Sequence, residues 1–184
     1  MTNTAPPREV TDEASQRGLE LAKQAGDAYH RMVEYFVREV AHDGALQEVD
    51  DYLVGVAVEE AEPLWHLLGG KLTLTEPAEG ANAHLEVVVM DRADHRFIPQ
   101  LMVQVELSRQ GGEQVGTYHL PLLWHPTMFH YGHSVHIPDD GTYTLTVHIE
   151  APTFGRHDTT NGKRYEKPVS VTFEGIQMER GRKS

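Results

Sequence analysis

The spacing of apolar residues changes once along the chain. Between Asp12 and Ala41 there is no proline, and Leu21, Ala25, Tyr29, Met32, Val33, Phe36, Val37 and Val40 recur at three- and four-residue steps, which places them on one stripe of a helix. Thr11 is positioned to cap it, Asp12 and Glu13 suit its positive end, and Gly44 stands where it would stop. The pattern predicts an amphipathic helical segment over 11–44, preceded by a polar, disordered tail over 1–10. Such a stripe needs cover, from its own domain, a second copy or a docked partner.

After Gly44 the period falls to two. DYLVGVAV (51–58), KLTLT (71–75), HLEVVVMD (84–91), LMVQVELS (101–108), VGTYHL (115–120), TYTLTVHI (142–149) and VSVTF (169–173) read as strands, rich in residues that fit a pleated surface. Gly69-Gly70, Gly111-Gly112, Asp140-Gly141 and Asn161-Gly162 supply turns between them. Seven strands without alternating helices predict a mainly β fold, an antiparallel immunoglobulin-like β-sandwich over 45–178 with an added N-terminal α-helix outside it and a short tail over 179–184.

Composition narrows the chemistry. A formal charge of -12 argues against nucleic acid or an anionic membrane as partner and favours cations. With no cysteine, disulfides and thiolate zinc sites are excluded, so a metal would be held by His, carboxylate, Met or backbone oxygen. The first residues lack the basic and apolar regions of an export signal, which by itself suggests a cytoplasmic protein, and no apolar run reaches membrane-spanning length.

Histidine is the residue used unusually. LLWHPTMFHYGHSVH (122–136) holds His125, His130, His133 and His136, side chains that titrate near neutral pH and bind borderline metals. In HLEVVVMD, His84 and Glu86 are two residues apart and share one strand face, where they are either two ligands or simply solvated. Arg156-His157-Asp158 offers either a histidine oriented by its neighbour or a capped turn with a surface histidine. No HExxH, phosphate loop or GxSxG elbow is present, and Ser134 sits in YGHSVH.

The order HLE, LPLLWHPTMFHYG, GTYTLTVHIEAPTFGRHDTTNGKRY resembles the Fe(2+) transport protein family over roughly residues 51–176. The resemblance implies an Ig-like, homodimeric, extracytoplasmic accessory of iron uptake, binding copper or iron, with zinc possible in a cysteine-free set, and working beside a membrane permease. It implies metal ligands His84 and Glu86 from HLE, His130 from HYG and His157 from RHD. The family's methionine, seven residues before the HYG histidine, falls on Leu123, so Met128 or His125 is left to replace it. Around His130, Trp124, Phe129 and Tyr131 are expected to wall a site loop, with His125, His133 and His136 as an outer relay.

The function expected is therefore divalent transition-metal binding without turnover. An Ig-like interaction module with incidental histidines is the alternative, and a non-haem iron oxidase the third. If imidazoles govern binding, affinity falls as pH drops through about 6.5.

Overall fold

The computed structural model describes residues 8–183. Helix α1 spans Gln16–Tyr35 and runs on into one π-helical turn, Phe36–Val40. Eleven strands follow: β1 Asp43–Val49, β2 Tyr52–Glu59, β3 Leu64–Leu68, β4 Lys71–Thr75, β5 Ala83–Asp91, β6 Val103–Arg109, β7 Gln114–Leu120, β8 Leu122–Trp124, β9 Phe129–Val135, β10 Gly141–Ile149 and β11 Val169–Met178. They form a five-stranded sheet in the order β1-β2-β5-β9-β8 and a four-stranded sheet in the order β11-β10-β6-β7. The sandwich with its added helix is therefore present. Val54, Val56, Leu85, Val87 and Tyr131 from the first sheet meet Val105, Leu145, Val147 and Phe173 from the second in one core.

The central strands β2 and β5 of the five-stranded sheet are buried on both faces, and this is why they read as nearly unbroken apolar runs. The second face carries Leu53, Ala57, Val88 and Met90, which pack under Val33 and Phe36 of the helical segment and Met128. Burying side chains like these stabilises by roughly 1.5–3 kcal/mol each. The predicted helical stripe is used from Tyr29 to Val37, while Leu21 and Val40 at its two ends remain 49% and 44% exposed. In the first half the attachment is backbone to backbone. A Cβ on Gly26 would lie 1.7 Å from the Asp94 carbonyl oxygen, so only glycine lets the helix rest on the loop after β5.

The helix boundaries differ from those expected. Ser15 caps α1, its hydroxyl accepting from the Gly18 amide at 3.1 Å, while the Thr11 hydroxyl, before the helix, donates to Asp158 and accepts from the Glu13 amide. Gly44 does not end a helix but lies in β1, where a side chain would strike the Val56 carbonyl oxygen at 2.5 Å. Residues 1–7 of the expected disordered tail lie outside the described residues, whereas Arg8 is ion-paired with Asp91 and Asp94 at 2.9 and 2.7 Å. At the other end, Gly181 and Lys183 exchange backbone hydrogen bonds with Ala61, and Gly181 also donates to Asn82.

Strands β3 and β4 form a separate two-stranded ribbon closed by Gly69 and Gly70, whose φ values of 56° and 78° suit a tight hairpin turn. Trp65 pairs with Leu74 and Leu67 with Leu72, so all four share one face. All four are exposed.

Candidate metal centre

In β5, Leu85 and Val87 point between the sheets, so His84 and Glu86 point to the opposite face, the one that the helical segment covers. Antiparallel pairing places Gly132 of β9 across from Glu86 and Ser134 across from His84. His130, two residues before Gly132, lies on the same face. The segment expected to be a site loop is thus largely strand, and the pleat brings three donors together. Ligand atoms of His84, Glu86 and His130 all lie within 4.8 Å of one another. Nε2 of His130 is 3.5 Å from Oε1 of Glu86.

These groups are 1%, 4% and 4% exposed. Nδ1 of His84 is 3.0 Å from the Ser134 hydroxyl, which leaves Nε2 as its free ring nitrogen. Oε2 of Glu86 and both ring nitrogens of His130 are buried without a hydrogen-bond partner, an arrangement that costs on the order of 1–3 kcal/mol per group unless something satisfies it. Gly132 keeps the space between them open. A Cβ there would stand 2.8 Å from His84 Nε2, 2.8 Å from Leu123 Cδ1 and 3.1 Å from His130 Cδ2. Orphaned donors around a space that one methyl group would fill suit a single ion.

Burial governs the protonation of all three. It drives the His130 imidazole down to about 3, with His84 and His125 adding repulsion. It drives His84 down to about 4, helped by His133 and Lys183. The Glu86 carboxyl goes the other way, up to about 8, through burial and then the nearby Glu59 and Glu62, with Lys183 opposing. Near pH 7 the group therefore holds neutral imidazoles, ready to coordinate, and a protonated carboxyl.

His157 is not brought to this group. It lines a cavity of about 590 Å³ beside Phe154, Arg156 and the N-terminal end of α1. Its neighbour Asp158 does not orient it, because that carboxylate accepts from Thr11, the Thr160 and Asn161 amides and the Asn161 side chain. These bonds, led by those from Thr11 and Asn161, hold Asp158 well below the usual carboxylate range. The walls and relay expected around His130 are redistributed as well. Tyr131 faces the sandwich core, its hydroxyl donating to the Ile98 carbonyl and accepting from the Leu101 amide. Trp124 is 70% exposed, and Phe129 stacks on Phe97. His133 lies by Tyr118, and His136 contacts the Gly80 carbonyl oxygen. Of the three, His125 has its ring 6.5 Å from that of His130.

At the family's methionine position, Leu123 does reach the centre, with Cδ1 beside the Gly132 gap. Met128 is buried under the helical segment with Phe36 and Val88, so it is part of the core there. Sequence reasoning missed Gly132 and Ser134. A glycine directly across from the carboxylate was the available signal, but it needed the register of β9.

The fold is found in solved structures. FetP of uropathogenic Escherichia coli, recombinantly expressed in the periplasm, matches with 23% identity and a TM-score of 0.59 over 74% of this chain and 95% of its own. A copper-bound variant of Campylobacter jejuni P19 matches with 19% identity and a TM-score of 0.61, covering 75% of this chain and 96% of that one. No curated protein sequence matches the chain. Residues 72–177, which include β5, β9 and the loop that carries His157, match the pattern that defines the Fe2+ transport proteins, and the chain belongs to that family.

Proposed function

We propose that the protein binds one divalent transition-metal ion, copper or iron, at His84, Glu86 and His130, as an accessory of iron uptake outside the cytoplasm. The observation that carries this is the set of buried, unpartnered ligand atoms on Glu86 and His130, which meet His84 around the gap left by Gly132. Two imidazoles and a carboxylate without a thioether suit Cu(II), Fe(II) or Zn(II) better than Cu(I). Family membership and the copper-bound P19 variant favour iron and copper over zinc. The protein receives and hands on the ion, without turnover, to a permease in the membrane. No helix among the described residues is long and apolar enough to cross a membrane itself.

The working form is a homodimer. The unpaired face of Trp65, Leu67, Leu72 and Leu74 supports self-association. Because His157 lies away from the three ligands of its own chain, its role as a fourth ligand requires delivery by a second copy.

Isothermal titration with Cu(II) and Fe(II) tests the reading. Wild type takes one ion per chain, His130→Ala loses most of the affinity, and His30→Ala on α1 is unchanged. Equal affinity in wild type and His130→Ala would sink the site. Light scattering that gives a monomer at high concentration would remove the dimer.

A further inference from the structure

The three ligands are closed off from solvent, so an ion must reach them through something. One cavity of about 220 Å³ adjoins them, between the π-helical turn and the end of β2, with Phe36, Glu59, Glu62, His125 and Lys183 among its walls. Two of these walls neighbour the metal centre. Glu59 pairs across the sheet with His84 and so lies beside it on the same face. The His125 ring is 6.5 Å from His130, whose buried nitrogens have no partner.

A cation already stands in this cavity. Nζ of Lys183 is 3.3 Å from Oε2 of Glu59 and 3.7 Å from Oε2 of Glu62. Its position is built into the backbone, through the Ala61 amide donating to Gly181 at 3.0 Å, the Lys183 amide donating to Ala61 at 2.9 Å, and the Gly181 amide donating to Asn82 at 2.7 Å. Two carboxylates face one ammonium, so a negative charge is left over at the mouth. A divalent ion satisfies such a pair better than a single ammonium does. Residues 179–183 lie outside the stretch that matches the family pattern, 72–177.

Resting on the metal-binding reading above, we propose that Glu59 and Glu62 form an outer cation site through which the divalent ion reaches His84, Glu86 and His130. Lys183 holds this outer site as a tethered counter-cation until the ion displaces it. Access is then selective by charge. A monovalent ion gains little over the ammonium already present, whereas a divalent ion exchanges with it and passes inward along His125.

Stopped-flow mixing of the metal-free protein with Cu(II) tests this. Lys183→Gln is expected to speed association about three- to tenfold, the scale on which a charge at a cleft mouth alters on-rates. Lys183→Arg keeps the charge and stays near the wild-type rate, and the double variant Glu59→Gln, Glu62→Gln is slower than wild type. Lys71→Gln, on the exposed ribbon, is unchanged. An unaltered rate in Lys183→Gln, or an equal acceleration in Lys71→Gln, overturns the outer site while leaving the inner one standing, provided that wild type binds one ion and His130→Ala does not. A wild type that takes up no Cu(II) overturns both.

Discussion

Glu86 makes a quantitative demand on metal binding. Its carboxyl is held near 8 by burial, while His84 and His130 are held near 4 and 3, so between pH 5 and 8 only the carboxyl has a proton to lose. Coordination needs the carboxylate, and each pH unit below 8 should weaken binding about tenfold. Going from pH 8 to 6 then costs roughly a hundredfold in affinity, and above 8 the curve flattens. This moves the acid limit away from the value near 6.5 read from the histidines, because closure under the helical segment takes the imidazoles out of that range. The perturbation is Glu86→Gln, which keeps the shape and removes the proton. It binds more weakly at pH 8 and is flat down to about pH 5. Titration calorimetry at pH 6.5 in two buffers of different ionisation enthalpy counts the protons released, about one for wild type and none for the variant. A midpoint near 6.5 shared by both proteins would show that the imidazoles titrate, and would refute the argument.

Three more outcomes follow from the same geometry. The folded value of Glu86 is raised above its ordinary 4.5, so its contribution to the metal-free fold is full below that pH and is lost as pH rises through about 8. Glu86→Gln should therefore stabilise the metal-free protein at pH 9 by roughly 2–5 kcal/mol in urea unfolding, and a loss of stability there would contradict the burial argument. Gly132→Ala, whose methyl group would sit 2.8 Å from His84 Nε2, should lower Cu(II) affinity at least about tenfold while circular dichroism still reports the fold, and undiminished affinity would mean that the ion sits elsewhere. Leu123→Met places a thioether beside the gap and should raise Cu(I) affinity by about tenfold or more in competition with a chromogenic chelator; an unchanged value would mean that Leu123 is not at the ligand position.

Much of this architecture was legible because it depends on local spacing. Period-two runs gave most strands, and the two-residue step in HLE put His84 and Glu86 on one face. Strand β9 was hidden because histidines and a glycine fill the positions where an apolar alternation would normally speak, and β1 was hidden because Gly44 reads as a helix stop. The helix cap is Ser15 rather than Thr11, and Thr11 is tied instead to Asp158, 147 positions away. His130 was found through a motif, but its lack of partners, the role of Gly132 across from Glu86, and the displacement of the carboxyl's titration all depend on which element covers the outer face. Nothing in the residues near 84–91 states that. For His157 the motif does not reveal that it lies away from the other three within one chain, where the loop around it is organised by Asp158 and Asn161.

Both faces of β5 are committed, one to the dry core and the other to the ligands, and this restricts how the domain can evolve. In most strands with one wet face, a slipped register is damaging but gradual. Here a one-residue slip in the register of β5 would turn His84 and Glu86 inward and present Leu85 and Val87 to the gap at Gly132, destroying packing and ligation in one event. Lineages carrying this domain should accumulate length changes in the Gly69-Gly70 hairpin and the loop at 150–168 while holding β5 to substitutions alone. An engineer relocating the centre along this strand would have to move it in steps of two.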